Sequence, residues 1–559
     1  MVRVGEVNRL VQVVIDLFPI GPTYVTIGQG ILGLVGQATR GPCNAPVWLG
    51  SYSGARKIFH SGDLKENCEL AFQNGVPAIC AIGVKGEGNA KASITVNDGL
   101  SPEASVVGAF YAKYEGLWGN AITVTLSRST HKMNLIVTNM PGSNSTGPYY
   151  LEQHGLLEYS GNWVKVNGLS KEIVYAEDEL VSNKVYLNTT EGYLKFFDLI
   201  ADTDQISCSI KYKGLRVVVT DNESIETYDH IPDLKSLQAR LTSQSYLVDF
   251  VPEEYETHFP ATGDGGAAIK LALAGGSDGA DITVDDWDKA LYTLFGETSR
   301  RAGGATCYAI SRCEIEDGNR DLIPILDGFA TYIENKFKPG CCYVGLPPNI
   351  TKDEALDIAS NYNSRNLYIV VNPWDNPTSG TIRQNGAVAL AARRCAAEMG
   401  ESCAKDEYAL KGLNGLLNEW EDEDVDILDE GRLNVLIKKA GILPYLDRST
   451  STDQQFWRAV DNVTVNWVEV CAKYIADAYK HWKNTQQNRE SLKASVAAVL
   501  NDLKRRQILR VYTLDVKSDL ENGGVNPNKV WIFIGMEPIG HMEQFWYEIG
   551  VGVLMGVQE

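Results

Sequence analysis

Histidine, cysteine and acidic residues of this chain could support catalysis or metal binding, but their spacing does not favour either. The seven His are scattered and the eleven Cys contain no CxxC pair. We therefore predict free thiols, as in a reducing cytoplasm, and neither a zinc site nor a disulfide framework. Asp278 lies between glycines, and Asp424, Asp426 and Asp429 are close in sequence, so they could in principle hold a cation. Such aspartates more often form turns or helix caps, and we predict no metal site.

Sequence motifs of common enzyme classes are missing from the chain. It contains no GxxxxGK[ST], HExxH or GxSxG segment. The glycine-rich runs at 83–88 and 262–266 lack the strand–turn–helix setting that would bind a pyrophosphate. An α/β hydrolase with Asp278 or Asp426 at its site stays an alternative, although no nucleophile–base pair is evident. We expect no catalytic residue and no cofactor.

Length and charge narrow the class of protein. The 559 residues suggest about three or four domains. A content of 44% apolar and 22% charged residues is ordinary for packed globular domains, and excludes a mainly disordered, collagenous or coiled-coil protein. The net charge of −20 disfavours binding to nucleic acid or anionic membranes. No apolar run of about 18 residues predicts a membrane helix, and we identify no signal peptide.

The spacing of apolar residues and the content of turn-forming residues change several times along the chain. These changes predict an α/β layer interrupted by β structure. Short alternating segments separated by Asn, Gly, Ser and Asp fill the interruption, as in an antiparallel sandwich or barrel. Alternating helices and apolar strands on both sides of it favour a buried parallel sheet covered by helices. The predicted units are an extended N-terminal arm (1–22), the first part of the α/β core (23–90), the inserted β-rich domain (91–262), the rest of the core (263–440), an α+β C-terminal domain (441–540) and a C-terminal strand arm (541–559).

Several helices are predicted from apolar spacing. They include 64–74, 322–336, 352–361 and a long helix at 381–399. Near the C-terminus one helix is predicted to carry an apolar stripe made of Phe456, Val460, Val463, Trp467, Cys471, Tyr474, Ala478 and Trp482. A second helix has its stripe at Leu492, Val496, Leu500 and Leu503.

Both ends of the chain have the period of a β-strand. The alternating apolar residues are Val11, Val13, Ile15 and Leu17 in the first arm, and Phe545, Tyr547, Ile549, Val551, Val553 and Met555 in the second. A strand with an unsatisfied edge tends to pair with another chain. The arms could pair within their own subunit or between subunits. Pairing between subunits would be heterologous and would produce a helical polymer.

Two charged blocks have opposite signs. Residues 420–430 contain seven acids in eleven positions, including Glu421, Asp422, Glu423 and Asp424. Between residues 473 and 517 there are ten Lys or Arg against four acids, including Lys504, Arg505 and Arg506 in a predicted last helical turn. These blocks are either solvated surface or complementary contacts with another copy or a partner.

Five short motifs occur in a fixed order along the chain. They are Arg40-Gly41-Pro42-Cys43-Asn44-Ala45-Pro46-Val47, Ala71-Phe72-Gln73-Asn74-Gly75, Gly116-Leu117-Trp118-Gly119-Asn120, Leu273-Ala274-Gly275-Gly276-Ser277-Asp278-Gly279 and Arg432-Leu433-Asn434. Together with the insertion and the two arms, they resemble the contractile-tail sheath family of myophage tails and contractile injection systems. The resemblance covers most of the chain and is poorest at 130–260.

The resemblance implies a subtilisin-like α/β core without a protease triad, a β domain at outer radius and a C-terminal domain near an inner tube. It implies that the arms join neighbouring copies into a contracting helical sheath. The implied partners are the chain itself, the inner tail tube protein, and baseplate and tail terminator proteins, without direct nucleic-acid contact or membrane insertion. The implied location is a virion tail or injection particle assembled in the host cytoplasm. A non-contractile capsid or surface-layer protein is a further alternative.

Overall fold

The computed structural model describes most of the chain between its two predicted arms. The described residues are 30–98, 104–151, 153, 155–254, 258–263, 266–300, 304–313, 321–347, 350–371, 374–376, 381–383, 386–413, 415–417, 420–439 and 441–540. The alternating segments at 11–17 and 545–555 lie outside these residues. Their strand conformation therefore stays a prediction.

The first described segment starts an α/β layer. Its elements are β1 (Ile31–Gln37), β2 (Pro46–Leu49), α1 (Tyr52–Phe59), α2 (Asp63–Gln73) and β3 (Ala78–Val84). The helix predicted at 64–74 is confirmed within one residue at each end. Strands β1 and β3 are almost wholly buried, as their apolar composition predicts.

The middle of the chain is mostly β structure. Its elements are β4 (Ser93–Asn97), β5 (Val106–Ala112), β6 (Thr123–Arg128), β7 (Met133–Pro141), β8 (Tyr149–Tyr150), β9 (Trp163–Val166), β10 (Leu169–Val174), β11 (Lys184–Asn188), β12 (Tyr193–Phe196), β13 (Gln205–Tyr212), β14 (Leu215–Thr220), β15 (Ile225–Ile231), α3 (Leu234–Gln244), β16 (Val248–Pro252) and β17 (Ile269–Ala272). Strand β17 pairs with β6, so the β-rich insertion extends beyond its predicted end at 262.

The insertion contains two β units with separate cores. In one, the sheets β15-β14-β6-β17 and β16-β5-β4 enclose a core together with α3. In the other, β7-β13-β9-β10-β11-β12-β8 form a seven-stranded sheet with a core of its own. All pairs are antiparallel except β10 with β11, which departs from the predicted antiparallel barrel or sandwich.

The chain then returns to the α/β layer. The elements are α4 (Val284–Thr298), β18 (Cys307–Ile310), α5 (Leu322–Asn335), β19 (Cys341–Gly345), α6 (Lys352–Ser360), β20 (Leu367–Val371), β21 (Trp374–Asn376), β22 (Thr381–Arg383), α7 (Gly386–Ala396), α8 (Asp422–Glu430), β23 (Asn434–Lys438) and β24 (Ile442–Pro444). The helix predicted at 381–399 is wrong at its start, because 381–383 pair with β21 as a strand. β-branched Thr381 and Ile382 favour a strand, and the Asn385-Gly386 pair favours a turn.

One eight-stranded sheet joins the two parts of the α/β layer in the order β2-β3-β1-β18-β19-β20-β23-β24. Its six inner strands are parallel, and only the edge strands β2 and β24 are antiparallel to their neighbours. Helices α1, α2 and α7 cover one face, and α4, α5, α6 and α8 cover the other. The predicted parallel sheet between helices is confirmed, although β24 places residues 442–444, predicted as C-terminal domain, in this sheet.

The last described elements are α9 (Ala459–Ala478), α10 (Gln486–Arg505), β25 (Leu509–Ser518) and β26 (Val530–Pro538). The apolar stripe predicted for α10 is buried as expected. The stripe predicted for α9 is partly wrong, because Asn462 and Asn466 are buried whereas Trp482 is 58% exposed. Asn462 Nδ2 donates to the Tyr368 hydroxyl (3.0 Å), so α9 packs on the large sheet through polar contacts.

Candidate functional site

The carboxylates considered for catalysis have structural roles. Asp278 Oδ1 accepts a hydrogen bond from the Leu117 N–H (3.0 Å) and lies 4.0 Å from Lys85 Nζ. Asp426 Oδ1 accepts from the Tyr445 hydroxyl (2.8 Å). Within the described ranges, no group of three or more His, Cys, Asp or Glu could hold a metal ion. Neither aspartate is therefore placed in a catalytic or metal-binding group.

The cysteine thiols are held away from solvent. Ten of the eleven cysteines are buried. Burial raises the pKa of the Cys208 and Cys403 thiols to about 11. At neutral pH these thiols are protonated, and a protonated thiol is a poor nucleophile. The cysteines act as small apolar core residues.

Asparagines of the sequence motifs join distant segments of backbone. Asn120 Nδ2 donates to the Gly276 carbonyl (2.9 Å), and the Gly276 N–H donates back to Asn120 Oδ1 (2.8 Å). Asn44 makes the same reciprocal pair with the backbone of Lys85, at 2.9 and 3.1 Å. Each amide satisfies one backbone donor and one backbone acceptor, as a strand neighbour would. These motif residues therefore fasten the points where the chain leaves and re-enters the α/β layer.

Arg40 ties the α/β layer to the inserted β structure. Its guanidinium donates to the carbonyls of Ile58 (Nε, 3.2 Å) and Lys57 (Nη2, 2.6 Å). Nη1 lies 3.3 Å from Asp221 Oδ2, at the end of β14, and both side chains are buried. The guanidinium also lies 5.4 Å from the ring centroid of Trp118. Arg40 of the first motif thus contacts Trp118 of the third motif and forms a buried ion pair between the α/β layer and the inserted β structure.

A cavity of about 560 Å³ adjoins this junction at the carboxyl ends of β1, β3 and β18. Open α/β sheets commonly bind ligands at such a point, where the strand order reverses. Several of its charged side chains, however, bond to the protein itself. Asp63 Oδ2 accepts from Arg312 Nη2 (2.8 Å) and Ser311 Oγ (2.8 Å), and Lys85 Nζ donates to the Glu115 carbonyl (2.7 Å). The cavity therefore carries no ligand assignment.

The acidic block forms the short helix α8. Val425 and Leu428 are buried against the large sheet, while Glu421, Asp422 and Glu423 are exposed at the helix N-terminus, where negative charge is favourable. The predicted contact residue Asp424 instead pairs with Lys352 within the chain (2.5 Å). The block thus presents five exposed acids, Glu421, Asp422, Glu423, Asp426 and Glu430, on the surface of the α/β layer.

The three residues of the basic block that are predicted as contacts lie at the end of α10. Lys504, Arg505 and Arg506 are exposed. Arg505 pairs with Asp502 one turn earlier (2.6 Å). No ion pair between the two charged blocks is found among the described residues. Within one chain, the structure does not bring the predicted electrostatic residues together.

The sequence predicts strands at 509–516 and 530–534, and the structure confirms both as β25 and β26, whereas their pairing into a two-stranded hairpin is not apparent from the sequence. The two strands pair antiparallel, and no third strand joins them within the described part of the chain. One face packs on α10 through alternate apolar residues such as Leu514, Ile532 and Ile534. The other face exposes Val511 (46%) and Phe533 (42%). In the described part of the chain, the hairpin therefore packs on a helix and has two unpaired strand edges.

Solved structures with the same fold are tail sheath proteins. A sheath tail protein of Desulfitobacterium hafniense matches at a TM-score of 0.52 and 12% identity, over 94% of this chain and 100% of that chain. A sheath tail protein of Listeria innocua matches at 0.53 and 13% identity, over 92% of this chain and 96% of that chain. No family model and no curated protein sequence matches.

No helix in the described ranges is both long and apolar enough to cross a membrane.

Proposed function

We propose that this chain is the structural subunit of a contractile tail sheath. The observation that carries the proposal is the β25–β26 hairpin, whose edges are unpaired among the described residues and are matched by strand-patterned segments at both ends of the chain. The fold shared with two sheath tail proteins over nearly their whole length supports it. In this proposal the α/β core, of the subtilisin-like type without a protease triad, is a scaffold rather than an enzyme.

The arms would join copies by strand exchange. A strand that adds to an open sheet edge gains affinity from backbone hydrogen bonds and register from alternate side chains. The acceptor is the β25–β26 hairpin, and the donors are arms of neighbouring subunits. The donor side chains would be Val11, Val13, Ile15 and Leu17, and Phe545, Tyr547, Ile549, Val551, Val553 and Met555. Because donor and acceptor surfaces differ, the contact is heterologous and builds a helix.

Contraction would shorten and widen this helix around an inner tube while the arms keep subunits connected. Lys504, Arg505 and Arg506, or the exposed acids of α8, would contact the tube protein or a neighbouring subunit. Baseplate and tail terminator proteins would bind the ends of the polymer. The particle would be a virion tail or an injection system assembled in the host cytoplasm. No described group supports the hydrolase alternative, since Asp278 and Asp426 have structural partners.

Electron microscopy of the purified full-length chain tests the proposal. We expect striated tubes with a central channel under assembly conditions. Removing residues 543–559 should abolish the tubes and leave a folded monomer, because residues 30–540 already form the α/β core and the core between α10 and the hairpin. A variant with Glu158→Lys, at an exposed position outside both arms and both charged blocks, serves as a control that still forms tubes. Monodisperse wild-type particles, or normal tubes from the truncated chain, would contradict the proposal.

A further inference from the structure

Three tyrosines form a strip on the outer face of the seven-stranded sheet. Tyr150, Tyr193 and Tyr186 lie on the adjacent strands β8, β12 and β11. Tyr150 and Tyr193 are direct cross-strand partners with ring centroids 5.7 Å apart, and the Tyr193 and Tyr186 centroids are 6.1 Å apart. Their chain neighbours Tyr149 and Leu194 point to the opposite face and are buried in the core.

The rings of this tyrosine strip offer both ring faces and hydroxyl groups to solvent. Tyr150 is 60% exposed, and the other two rings are half-buried. The middle ring is nearly perpendicular to its neighbours, at 69° and 76°. Burial, with nearby acids, raises the pKa of Tyr186, so its phenol remains a hydrogen-bond donor at neutral pH. The strip is therefore amphipathic rather than simply apolar.

The two lysines beside the tyrosine strip are paired within the chain. Lys195, the cross-strand partner of Tyr186, pairs with Glu177 (2.5 Å). Lys184, also on the outer face of β11, pairs with Glu172 (3.1 Å). Glu191 adds an exposed carboxylate that also raises the pKa of Tyr186, so charge complementarity disfavours an anionic ligand at the strip. The paired ammonium and carboxylate groups still have free hydrogen-bonding positions for hydroxyl groups.

We propose that the tyrosine strip binds an uncharged saccharide. The axial C–H groups of a pyranose ring stack on an aromatic face, because the ring quadrupole is negative at its face. The sugar hydroxyls then bond to the phenols and to the Lys195–Glu177 pair at the strip's edge. A protein-binding site would normally show a larger continuous apolar patch than these three rings. An apolar protein surface on the strip would also leave the phenol hydroxyls without hydrogen-bond partners. This inference does not depend on the proposed sheath function.

Retention of the full-length chain on insoluble polysaccharides tests the proposal. The probes are cellulose, chitin and xylan, with anionic alginate beads for comparison. We expect retention on at least one uncharged polysaccharide, and a loss of affinity of about tenfold in Tyr150→Ala/Tyr193→Ala, since each removes a stacking face. Trp163→Ala removes another exposed aromatic ring, 38% exposed, from the same sheet and should retain wild-type binding.

Folding of each variant is checked by its melting temperature. The single variant Tyr150→Ala, on a two-residue edge strand, keeps the test valid should the double variant not fold. Tyr150→Phe keeps the ring face and should keep most of the affinity. Retention on none of the uncharged polysaccharides, or retention on alginate alone, would overturn the proposal. Equal binding by the double variant would do so too, as would wild-type self-association that the double variant loses, because the strip would then bind another copy.

Discussion

Single asparagine side chains join distant backbone segments within the α/β layer and at its boundary with the inserted β structure. Asn44, Asn74 and Asn120 each form reciprocal bonds with backbone that is distant in sequence, by 41, 337 and 156 residues. In the sequence, these asparagines are recognised only as members of three of the five short motifs. It could not identify their partners, because a side-chain amide bonds to any backbone that the fold brings near. Their role is known only once the whole chain is placed.

Replacing Arg40 tests this connection. In Arg40→Ala the Asp221 carboxylate stays buried and loses its cation, so we expect the free energy of unfolding to fall by about 3–5 kcal/mol. The matched control is Arg300→Ala, which breaks the exposed Arg300–Glu297 pair and should cost less than about 1 kcal/mol. Urea unfolding followed by tryptophan fluorescence measures both. Equal effects of the two variants would show that the buried pair does not hold the insertion.

The same ion pair has a defined pH dependence. Burial acts to raise the pKa of Asp221, but hydrogen bonds from Glu223 and Ser224, together with Arg40, lower it below its ordinary 3.8. A carboxyl whose pKa is lowered by folding stabilises the protein above its unfolded pKa and loses this contribution as the pH falls. The stability difference between wild type and Asp221→Asn should therefore shrink below pH 3.8.

At the scale of elements, the sequence predicts those helices and strands that face one environment. Helix α10 packs a single face on the β25–β26 hairpin, and its Leu492, Val496, Leu500 and Leu503 stripe is visible in the sequence. Helix α9 lies between the large sheet and α10. Residues on several of its faces are therefore buried, including Asn462 and Thr464. Its pattern cannot show which polar residues have partners, because those partners lie on other elements. The same holds for the hairpin's open edges.

The open edges of the β25–β26 hairpin predict binding of a free strand. A chain lacking 543–559 should bind a synthetic peptide of those residues, measured by fluorescence anisotropy of the labelled peptide. The control peptide carries Ile549→Pro and Val551→Pro, which remove two N–H donors needed in a strand ladder. We expect the control to bind at least about tenfold more weakly, a loss of 1.4 kcal/mol or more. Equal binding of both peptides would mean that the edges do not accept this strand.

At the scale of the whole molecule, the placement of charge is more informative than its total. A net charge of −20 opposes close approach of copies in general. The exposed acids of α8 lie on the α/β layer, whereas Lys504, Arg505 and Arg506 end a helix of the C-terminal part. Opposite charges on different faces of one subunit can align successive copies head to tail. Solvated surface remains the alternative that the sequence left open.

Charge reversal distinguishes these two possibilities. Glu421→Lys/Glu423→Lys leaves Asp422 at the helix N-terminus and the Asp424–Lys352 pair intact. If the blocks meet in the polymer, this variant should assemble about tenfold more slowly by light scattering, because steering raises association rates by this order. The difference in assembly rate between this variant and wild type should vanish at about 0.5 M salt, because the Debye length is then only a few ångströms.

A second reversal, Lys504→Glu/Arg506→Glu, completes a charge swap between the two blocks. Each reversal alone places like charges against each other, whereas the combined variant restores opposite charges with the signs exchanged. We therefore expect the combined variant to recover most of the wild-type assembly rate. A combined variant slower than either single reversal would show that the two blocks bind different surfaces of neighbouring copies. Unchanged rates in every variant would identify both blocks as solvated surface.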